Sequence, residues 1–240
     1  MWCVIPVAGR ATRLSGHAGV KPKALIEIDG QSIIEHLLDR LDAPFSDACL
    51  VTRPDCADDF AVLGDQRSGL RLHYAVQPEP IGVADAVARA ASLIEGPFVV
   101  VMGDSYYDAS LGSFPDRWEE SGADGAVLVE RANDVDDQPM GLVRVADRRV
   151  TRIFKARWAG EPGWRVAGAY LFGEEFFEVV SDTPPAESGE VELEDVVTRL
   201  MHRGQSFQAI PLPGWRKNIN TPADLDAVLR RLGSRSQPRS

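Results

Sequence analysis

The first half of the chain alternates between short, wholly apolar runs and segments in which apolar residues recur every three or four positions. Strands are predicted at Cys3–Val7, Ala48–Val51, Leu72–Val76 and Phe98–Met102, and helices at Ile33–Leu41, Asp58–Leu63 and Val83–Leu93. Strands without polar alternation are typical of a parallel sheet that helices cover on both faces. The pattern therefore predicts an α/β fold that is Rossmann-like, with three layers (α/β/α) around a mostly parallel mixed sheet.

The second half of the chain is more mixed. Strands are predicted at Ala126–Val129, Leu142–Val145, Val150–Phe154 and Arg165–Phe172, some of them antiparallel, and helices at Glu174–Val180 and Glu194–Arg203. Thr221 and Pro222 are suited to the N-cap and the first position of a last helix. We expect these elements to form a small substrate-binding lobe in a single domain of residues 1–232. The polar residues 233–240 are expected to be a disordered tail.

Composition narrows the class of protein. The 240 residues are 44% apolar and carry a formal net charge of −10, so the chain can form a core but lacks the basic excess of a nucleic-acid or membrane-surface binder. The three cysteines, Cys3, Cys49 and Cys56, have no metal-type spacing, which favours free thiols in a reducing compartment. The N-terminus has no secretory pattern. A cytoplasmic protein is expected.

A small-residue loop with cations follows the first predicted strand. It contains Ala8, Gly9, Arg10, Ala11, Thr12 and Arg13, and Lys23 comes shortly afterwards. Small side chains let backbone N–H groups approach an anion, and Arg and Lys neutralise it. The loop is therefore a candidate polyphosphate site. The loops 77–82 and 103–108 also follow strands, so all three are expected to meet at one crevice.

Two further patterns suit a nucleotide and a metal ion. The run Gln77–Ala86 places Gln77, whose amide both donates and accepts hydrogen bonds, five residues before Gly82. Asp104 stands at the carboxyl end of an apolar strand, where its carboxylate can bind Mg²⁺. Late in the chain, Asn218 and Asn220 offer amide oxygens just before the last helix.

The order of these patterns resembles the sugar-1-phosphate nucleotidylyltransferases, in which A-G-x-G-T-R-L, P-K-x-L, Q-x-x-P-x-G-x-A-x-A and W-x-D-[IV]-G-T-P follow one another. The resemblance covers the chain from Val4 to about Leu225. Within the family, the chain is similar to short, monofunctional thymidylyl- and uridylyltransferases. It implies that Arg13 holds pyrophosphate and Lys23 the α-phosphate. It also implies that Gln77 and Gly82 read the base. Asp104, with Asn218 or Asn220, would hold Mg²⁺ as the cofactor.

The resemblance continues on the acceptor side. Gly141, Gly168 and Glu192 match positions that meet the sugar, and Lys155 matches the lysine that binds its phosphate. Three positions depart from the family pattern: Ala11 replaces a glycine, Asn218 replaces a metal-binding aspartate, and Phe154 replaces a glutamate that contacts sugar hydroxyls.

The resemblance thus implies an enzyme that joins UTP or dTTP to a sugar-1-phosphate, giving an NDP-sugar and pyrophosphate. Phe154 leaves open a cytidylyl- or other nucleotidylyltransferase with a non-hexose phosphate or phosphonate acceptor. Ala11 and Asn218 leave open a catalytically weak regulatory subunit that binds nucleotide sugars. The expected partners are an NTP and a small phosphorylated acceptor, without nucleic acid or membrane. The oligomeric state is left open.

Overall fold

The protein is described from a computed structural model, which covers residues 1–9, 22–132, 140–157, 160 and 163–235. Its strands are β1 (Trp2–Pro6), β2 (Glu27–Ile28), β3 (Gln31–Ser32), β4 (Asp47–Thr52), β5 (Gln66–Arg67), β6 (Leu70–Val76), β7 (Phe98–Val101), β8 (Ser105–Tyr107), β9 (Gly125–Arg131), β10 (Met140–Ala146), β11 (Arg149–Ala156), β12 (Trp164–Phe172), β13 (Phe207–Pro211) and β14 (Arg216–Asn218). Its α-helices are α1 (Ile33–Leu38), α2 (Val83–Ala88), α3 (Ser113–Ser121), α4 (Glu175–Asp182), α5 (Leu193–His202) and α6 (Pro222–Arg235). Short 3₁₀ helices cover Lys23–Leu25, Pro54–Cys56, Asp58–Leu63 and Ala91–Leu93.

A large central sheet separates two apolar cores. Its strand order is β10-β11-β13-β9-β12-β7-β1-β4-β6-β5. Successive side chains of β1 enter opposite cores, with Cys3 and Ile5 on one face and Val4 on the other. Helices α1 and α3 contribute to the first core, and α2, α4 and α5 contribute to the second. The predicted three-layer α/β/α arrangement is confirmed.

Strands β7, β1, β4 and β6 are neighbours and run parallel. Backbone hydrogen bonds continue one residue past the strand ends: Val7 N donates to the Val51 carbonyl at 2.9 Å, and Gln77 N donates to the Thr52 carbonyl at 2.8 Å. The loops after these strands therefore leave from one edge of the sheet, as the sequence predicts.

The strands of the second half continue the same sheet. β12 runs antiparallel to both β7 and β9, and β10 runs antiparallel to β11. Asp147 and Arg148 join β10 to β11 with φ values of 49° and 63°, which suits a tight hairpin of two residues. The prediction of a mostly parallel sheet therefore holds for the first half. The segments that were expected to form a lobe belong to the central sheet.

Helix lengths differ from the sequence prediction at several places. Helix α1 ends at Leu38 and not at the predicted Leu41. Residues 58–63 form a 3₁₀ helix, and the segment 83–93 divides into α2 and the 3₁₀ turn Ala91–Leu93. Helix α6 reaches Arg235, so residues 233–235 of the expected tail are helical. The partly buried Leu232 packs against a core cluster and stabilises this end of α6. The unpredicted helix α3 buries only Phe114 and Pro115, which is too few residues to give a helical period.

The cysteines behave as the sequence predicts. All three are buried and free of disulfide bonds. Burial raises the pKa of the Cys49 thiol to about 12 and also raises that of Cys3, so both stay protonated at neutral pH. Within the part of the chain that the structure describes, no helix has both the length and the apolar character needed to cross a bilayer.

Candidate active site

A cavity of about 260 Å³ opens at the edge where the parallel strands end. Its lining residues come from the loops after β1, β6 and β7, from the Lys23 turn, from α2 and from the segment before α5: Pro6, Val7, Ala8, Gly9, Lys23, Ala24, Gln77, Pro80, Gly82, Val83, Ala86, Met102, Gly103, Asp104 and Glu190. The predicted crevice therefore exists, and it includes Ala8, Gly9, Lys23, Gln77, Gly82 and Asp104. Arg10, Ala11, Thr12 and Arg13 lie outside the described residues.

Lys23 is the central cation of the cavity. Its Nζ donates to Asp104 Oδ2 at 2.8 Å and to Asn220 Oδ1 at 2.7 Å. The side chain is only 9% exposed. Lys23 lies in a 3₁₀ turn directly after Pro22. The contacts join residues that are 81 and 197 positions apart in the sequence. One ammonium group thus bridges a carboxylate and an amide oxygen.

A small apolar cluster holds this group together. Its buried members include Ile28 of β2, Tyr106 of β8, Val228 of α6, and Ile219, which lies between β14 and α6. β8 pairs with β14, and Ile219 N donates to the Asp104 carbonyl at 2.9 Å. The late loop is therefore fixed beside the end of β7, which places the Asn220 amide next to the Asp104 carboxylate.

Asn218 and Asn220 occupy different environments. Asn218 lies in β14 opposite Ser105, and its buried Oδ1 has no hydrogen-bond partner among the described residues. Asn220 Oδ1 accepts from Lys23. Of the two asparagines predicted as alternative metal ligands, Asn220 is the one that the structure joins to Asp104 through a shared cation.

The donor set around Lys23 suits a hard cation. Carboxylate and amide oxygens are ligands that Mg²⁺ accepts, and a site with one carboxylate takes further oxygens from substrate phosphates and water. Among the described residues, no group of three or more His, Cys, Asp or Glu side chains is arranged to hold a metal ion. Asp104 and Asn220 therefore fit a magnesium ion that is shared with a phosphorylated substrate.

Gln77 is buried at the far end of the cavity. Its Nε2 donates to the Gly82 carbonyl and to Asp85 Oδ2, both at 2.9 Å. Both hydrogens of the amide group are thus used within the protein. The group that Gln77 offers to a ligand is its carbonyl oxygen, which is an acceptor.

Gly82 is required by a close approach of backbone to backbone. It has a φ of 121°, and a Cβ there would overlap the nitrogen and carbonyl of Val191. Val191 N donates to the Ile81 carbonyl at 2.8 Å, and Ala84 N donates to the Val191 carbonyl at 3.1 Å. This junction joins the loop 77–82 to the segment that carries Glu190 and Glu192.

Three of the four predicted acceptor-side residues, Gly141, Lys155 and Glu192, lie together at this segment. Gly141 of β10 lies opposite Lys155 of β11, and Lys155 Nζ forms an ion pair with Glu192. Burial opposes the charge of Lys155, but the ion pair outweighs it, so the pKa of the lysine is raised. Three predicted substrate residues thus lie together, with their charges already paired.

Glu194 is a buried carboxyl that the sequence prediction missed. Tyr170 Oη donates to its Oε1 at 3.0 Å, and a Cβ at Gly141 would overlap the same oxygen. Burial raises the pKa of Glu194, and the neighbouring Glu192 carboxylate adds to the shift. The run Glu190–Asp195 is visibly acidic in the sequence, and both Glu192 and Glu194 are buried in the structure, but the long-range contact of Glu194 with Tyr170 has no local signal.

Gly168 lies in a second buried polar group. With a φ of 72°, it would place a Cβ 2.6 Å from Tyr107 Oη and 3.0 Å from Arg216 Nε. Arg216 donates to Glu130 Oε1 at 3.0 Å and to Ser105 Oγ at 3.2 Å. The only sequence signal for Arg216 is its place directly after Trp215. In the structure this guanidinium joins β14 to the sheet behind the site.

Comparisons with known proteins agree with this geometry. A family model described as nucleotidyl transferase matches residues 3–222. A relative from Haloferax volcanii, named UTP--glucose-1-phosphate uridylyltransferase AglF, is 29% identical over 235 residues, which cover 97% of this chain and 96% of the relative. Other relatives are longer: the chain is 24% identical to the bifunctional protein GlmU of Methanococcus maripaludis and spans 53% of its length.

Solved structures share the fold. A Bacillus anthracis structure described as a glucose-1-phosphate thymidylyltransferase superposes with a TM-score of 0.85 at 21% identity, covering 99% of this chain and 96% of that one. The inositol-1-phosphate CTP transferase from T. maritima superposes with a TM-score of 0.81 at 18% identity, covering 97% and 94%. The mixed α/β fold is thus that of known nucleotidyltransferases, and with a family match across most of its length the chain belongs to the nucleotidyl transferase family of enzymes.

Proposed function

We propose that this protein transfers a nucleotidyl group from UTP or dTTP to a sugar-1-phosphate and releases pyrophosphate. The observation that carries the proposal is the Lys23 ammonium, which bridges Asp104 and Asn220 at the wall of a cavity that also contains Gly9 and Gln77. A substrate phosphate can take the place of the carboxylate beside this buried cation, and the small-residue loop leaves room for it.

The base is assigned from the polarity of Gln77. Because its Nε2 already donates to Gly82 and Asp85, its carbonyl oxygen is left to accept. Uracil and thymine present an N3–H donor, whereas N3 of cytosine is an acceptor. An accepting Gln77 can therefore take a hydrogen bond from N3–H of UTP or dTTP, whereas cytosine could offer it only the 4-amino group. Gly82 contributes to this choice indirectly, because its lack of a side chain lets the loop that carries Gln77 pack against Val191.

The phosphates are assigned to the loop after β1 and to Lys23. Backbone N–H groups of Ala8, Gly9, Arg10, Ala11 and Thr12 would bind the phosphate oxygens, and Arg13 would hold the departing pyrophosphate. Lys23 would neutralise the charge that develops at the α-phosphate. The reaction is an in-line displacement that depends on positioning and charge more than on proton transfer.

Asp104 and Asn220 would hold Mg²⁺, with Asn218 as the less favoured amide. When bound, the ion neutralises charge on the phosphates of both substrates. The carboxylate of Asp104 and the amide of Asn220 would hold the ion in place, and Lys23 would contact the α-phosphate from the same side. These roles follow from the oxygen pair around Lys23.

The acceptor is assigned to the group around Lys155. Its ammonium would bind the acceptor's phosphate, while Gly141, Gly168 and Glu192 would shape the pocket for the sugar. Lys155 is paired with Glu192, so it already stands at a fixed position. A sugar phosphate would share the lysine with Glu192 and displace none of the buried groups.

Phe154 supports a second candidate, an acceptor other than a hexose phosphate. The Arg152 guanidinium lies 4.8 Å from the centre of the Phe154 ring. An apolar ring covered by a cation accepts no hydrogen bond from a sugar hydroxyl. In this candidate the protein is a cytidylyl- or other nucleotidylyltransferase, and one solved structure of the same fold is an inositol-1-phosphate CTP transferase.

The test is pyrophosphate release by the purified protein with Mg²⁺ across a grid of NTPs and phosphorylated acceptors. The proposal expects turnover with UTP or dTTP and a hexose-1-phosphate. Turnover only with CTP, or only with a non-sugar acceptor, would establish the second candidate. Nucleotide binding without turnover across the whole grid would contradict both and favour a regulatory subunit.

A further inference from the structure

Arg53 stands at the end of the strand that neighbours the phosphate loop. It follows Thr52, the last residue of β4, and precedes Pro54. A residue before proline is confined to extended backbone, and Arg53 has φ −95° and ψ 159°. Since β4 lies next to β1, the Arg53 side chain starts from the same sheet edge as the loop that begins at Val7.

The Arg53 side chain reaches back to that loop. Its Nη1 donates to the Ala8 carbonyl, and its Nε donates to Asp55 Oδ1 at 2.8 Å. The side chain is 12% exposed, so the guanidinium is largely enclosed by protein. Ala8 and Gly9 line the cavity, whereas Arg53 is absent from the lining. Arg53 therefore contacts the loop from behind and leaves the cavity to the ligand.

The contact fixes the direction of one peptide group. In a planar trans peptide, the carbonyl of one residue and the N–H of the next point in opposite directions. Because Arg53 holds the Ala8 carbonyl, the Gly9 N–H points away from Arg53. Among the described residues, no atom lies within 4 Å of where a Cβ of Gly9 would stand, so the space beside Gly9 is open to a ligand.

We propose that Arg53 is a positioning residue for nucleotide binding, which orients the Gly9 N–H toward a phosphate of the NTP. This inference rests on the proposed function, because it assigns the occupant of the loop. Asp55 holds the other side of the guanidinium and fixes its rotamer.

The test compares Arg53→Ala, Arg53→Lys and the wild type in steady-state kinetics. We expect Arg53→Ala to raise the KM for the NTP about tenfold, which corresponds to losing one charge-assisted hydrogen bond. The kcat and the KM for the acceptor should stay within about twofold. Arg53→Lys should recover part of the loss, since it keeps one donor and the charge. Arg230→Ala, at an exposed position of α6, is the matched control for removing one positive charge.

Two outcomes would overturn the inference. One is an unchanged KM for the NTP in Arg53→Ala. The other is an equal rise in both KM values with a lower melting temperature, which is the sign of a merely structural residue. If Arg53→Ala fails to fold, Asp55→Asn frees the guanidinium more gently, and a rise in KM for the NTP alone is again expected.

Calorimetric titration with UTP separates this inference from the proposed function. If the wild type binds UTP but gives no turnover with any acceptor, the proposed function fails, and the ratio of dissociation constants between Arg53→Ala and wild type still decides the role of Arg53. A ratio near one contradicts it, and a ratio near ten supports it. A wild type that binds no NTP would overturn both proposals.

Discussion

The two ends of the candidate site differ in how their charges are satisfied. At the end of the parallel strands, one ammonium group, that of Lys23, serves both Asp104 and Asn220 beside an open cavity. At the antiparallel end, Lys155 has its own carboxylate in Glu192, and the Glu194 carboxyl is bonded to Tyr170. The first end can exchange its ionic partner for a substrate phosphate. At the second end, the charged and polar groups are already paired within the protein.

The difference shows which role each part of the fold supports. The parallel strands bring separate loops to one edge, so their polar residues face a common space. At the antiparallel end, Lys155 of β11 and Tyr170 of β12 contact carboxyl groups at the start of α5, so these polar groups are paired within the protein. In the proposed reaction, charge exchange is needed at the nucleotide, where bonds form and break, and a fixed shape is needed for the acceptor. The predictions below test this division, from the largest effect to the smallest.

Lys23→Ala should break the nucleotide end. Without the ammonium, the charge at the α-phosphate is not neutralised, and turnover should fall by roughly 10²–10³-fold. Circular dichroism should be unchanged. The control is Lys217→Ala, since Lys217 pairs with Asp224 at 2.8 Å and is absent from the cavity lining. Near-normal turnover in Lys23→Ala would contradict the role given to this end.

Asp104→Asn and Asp108→Asn should separate catalysis from stability at two aspartates that flank β8. Asp104 is at the cavity, whereas Asp108 accepts from Trp215 N at 2.7 Å and from Arg231 Nε at 2.9 Å. Asp104→Asn should lower turnover by roughly tenfold to a hundredfold and raise the Mg²⁺ concentration needed for half-maximal rate. Asp108→Asn should cost about 2 kcal/mol of unfolding free energy. Urea titration and pyrophosphate assays check both, and reversed effects would refute the assignment.

Gly82→Ala should disturb the junction between the two ends. The added methyl overlaps the Val191 backbone and is strained at φ 121°, so we expect a loss of about 2–3 kcal/mol in unfolding free energy. Gly64→Ala is the control, because Gly64 also has a positive φ, of 69°, but has open space around it. It should cost about 1 kcal/mol. Equal losses would show that the contact with Val191 adds nothing.

Glu194→Gln should change how the stability of the acceptor end depends on pH. Burial raises the pKa of Glu194 above its ordinary value of 4.5, so the folded protein favours the protonated acid. The stability that this proton gives is complete below pH 4.5 and is lost as the pH rises through the folded-state pKa. Glutamine keeps an acceptor for Tyr170 and does not titrate. Urea melts should show that the variant gains on the wild type as the pH rises, and parallel curves would contradict this.

The sequence predicts the nucleotide end better than the acceptor end, for a physical reason. Gln77 directly follows β6, and Asp104 comes shortly after the buried strand β7, so a local pattern is enough to place them at one edge of the sheet. Their roles, like that of Lys23, remain predictions. The ion pair of Lys155 with Glu192 and the hydrogen bond of Tyr170 to Glu194 join residues 37 and 24 positions apart, and no local period indicates them.

The same limit applies to Arg53 and to the late loop. The contact of Arg53 with Ala8 spans 45 positions and depends on β4 lying beside β1. The choice between Asn218 and Asn220 depends on how β14 pairs with β8, which the sequence does not indicate. Apolar runs predict strands β1, β4, β6, β7 and β9–β12, but they do not predict the short strands β2, β3, β5, β8 and β14 or the sheet strand β13. Strand order and the extent of antiparallel pairing in the second half were not predictable, because they are set by packing between distant segments.

The most direct test of the account is whether pyrophosphate release depends on the acceptor. Purified protein with Mg²⁺ and UTP or dTTP should release pyrophosphate only when a sugar-1-phosphate is added, and mass spectrometry should find one NDP-sugar for each pyrophosphate. This result would show that the exchangeable end and the fixed end act on two substrates in one reaction. Pyrophosphate released equally without acceptor, or none released by folded protein that binds UTP, would contradict the account.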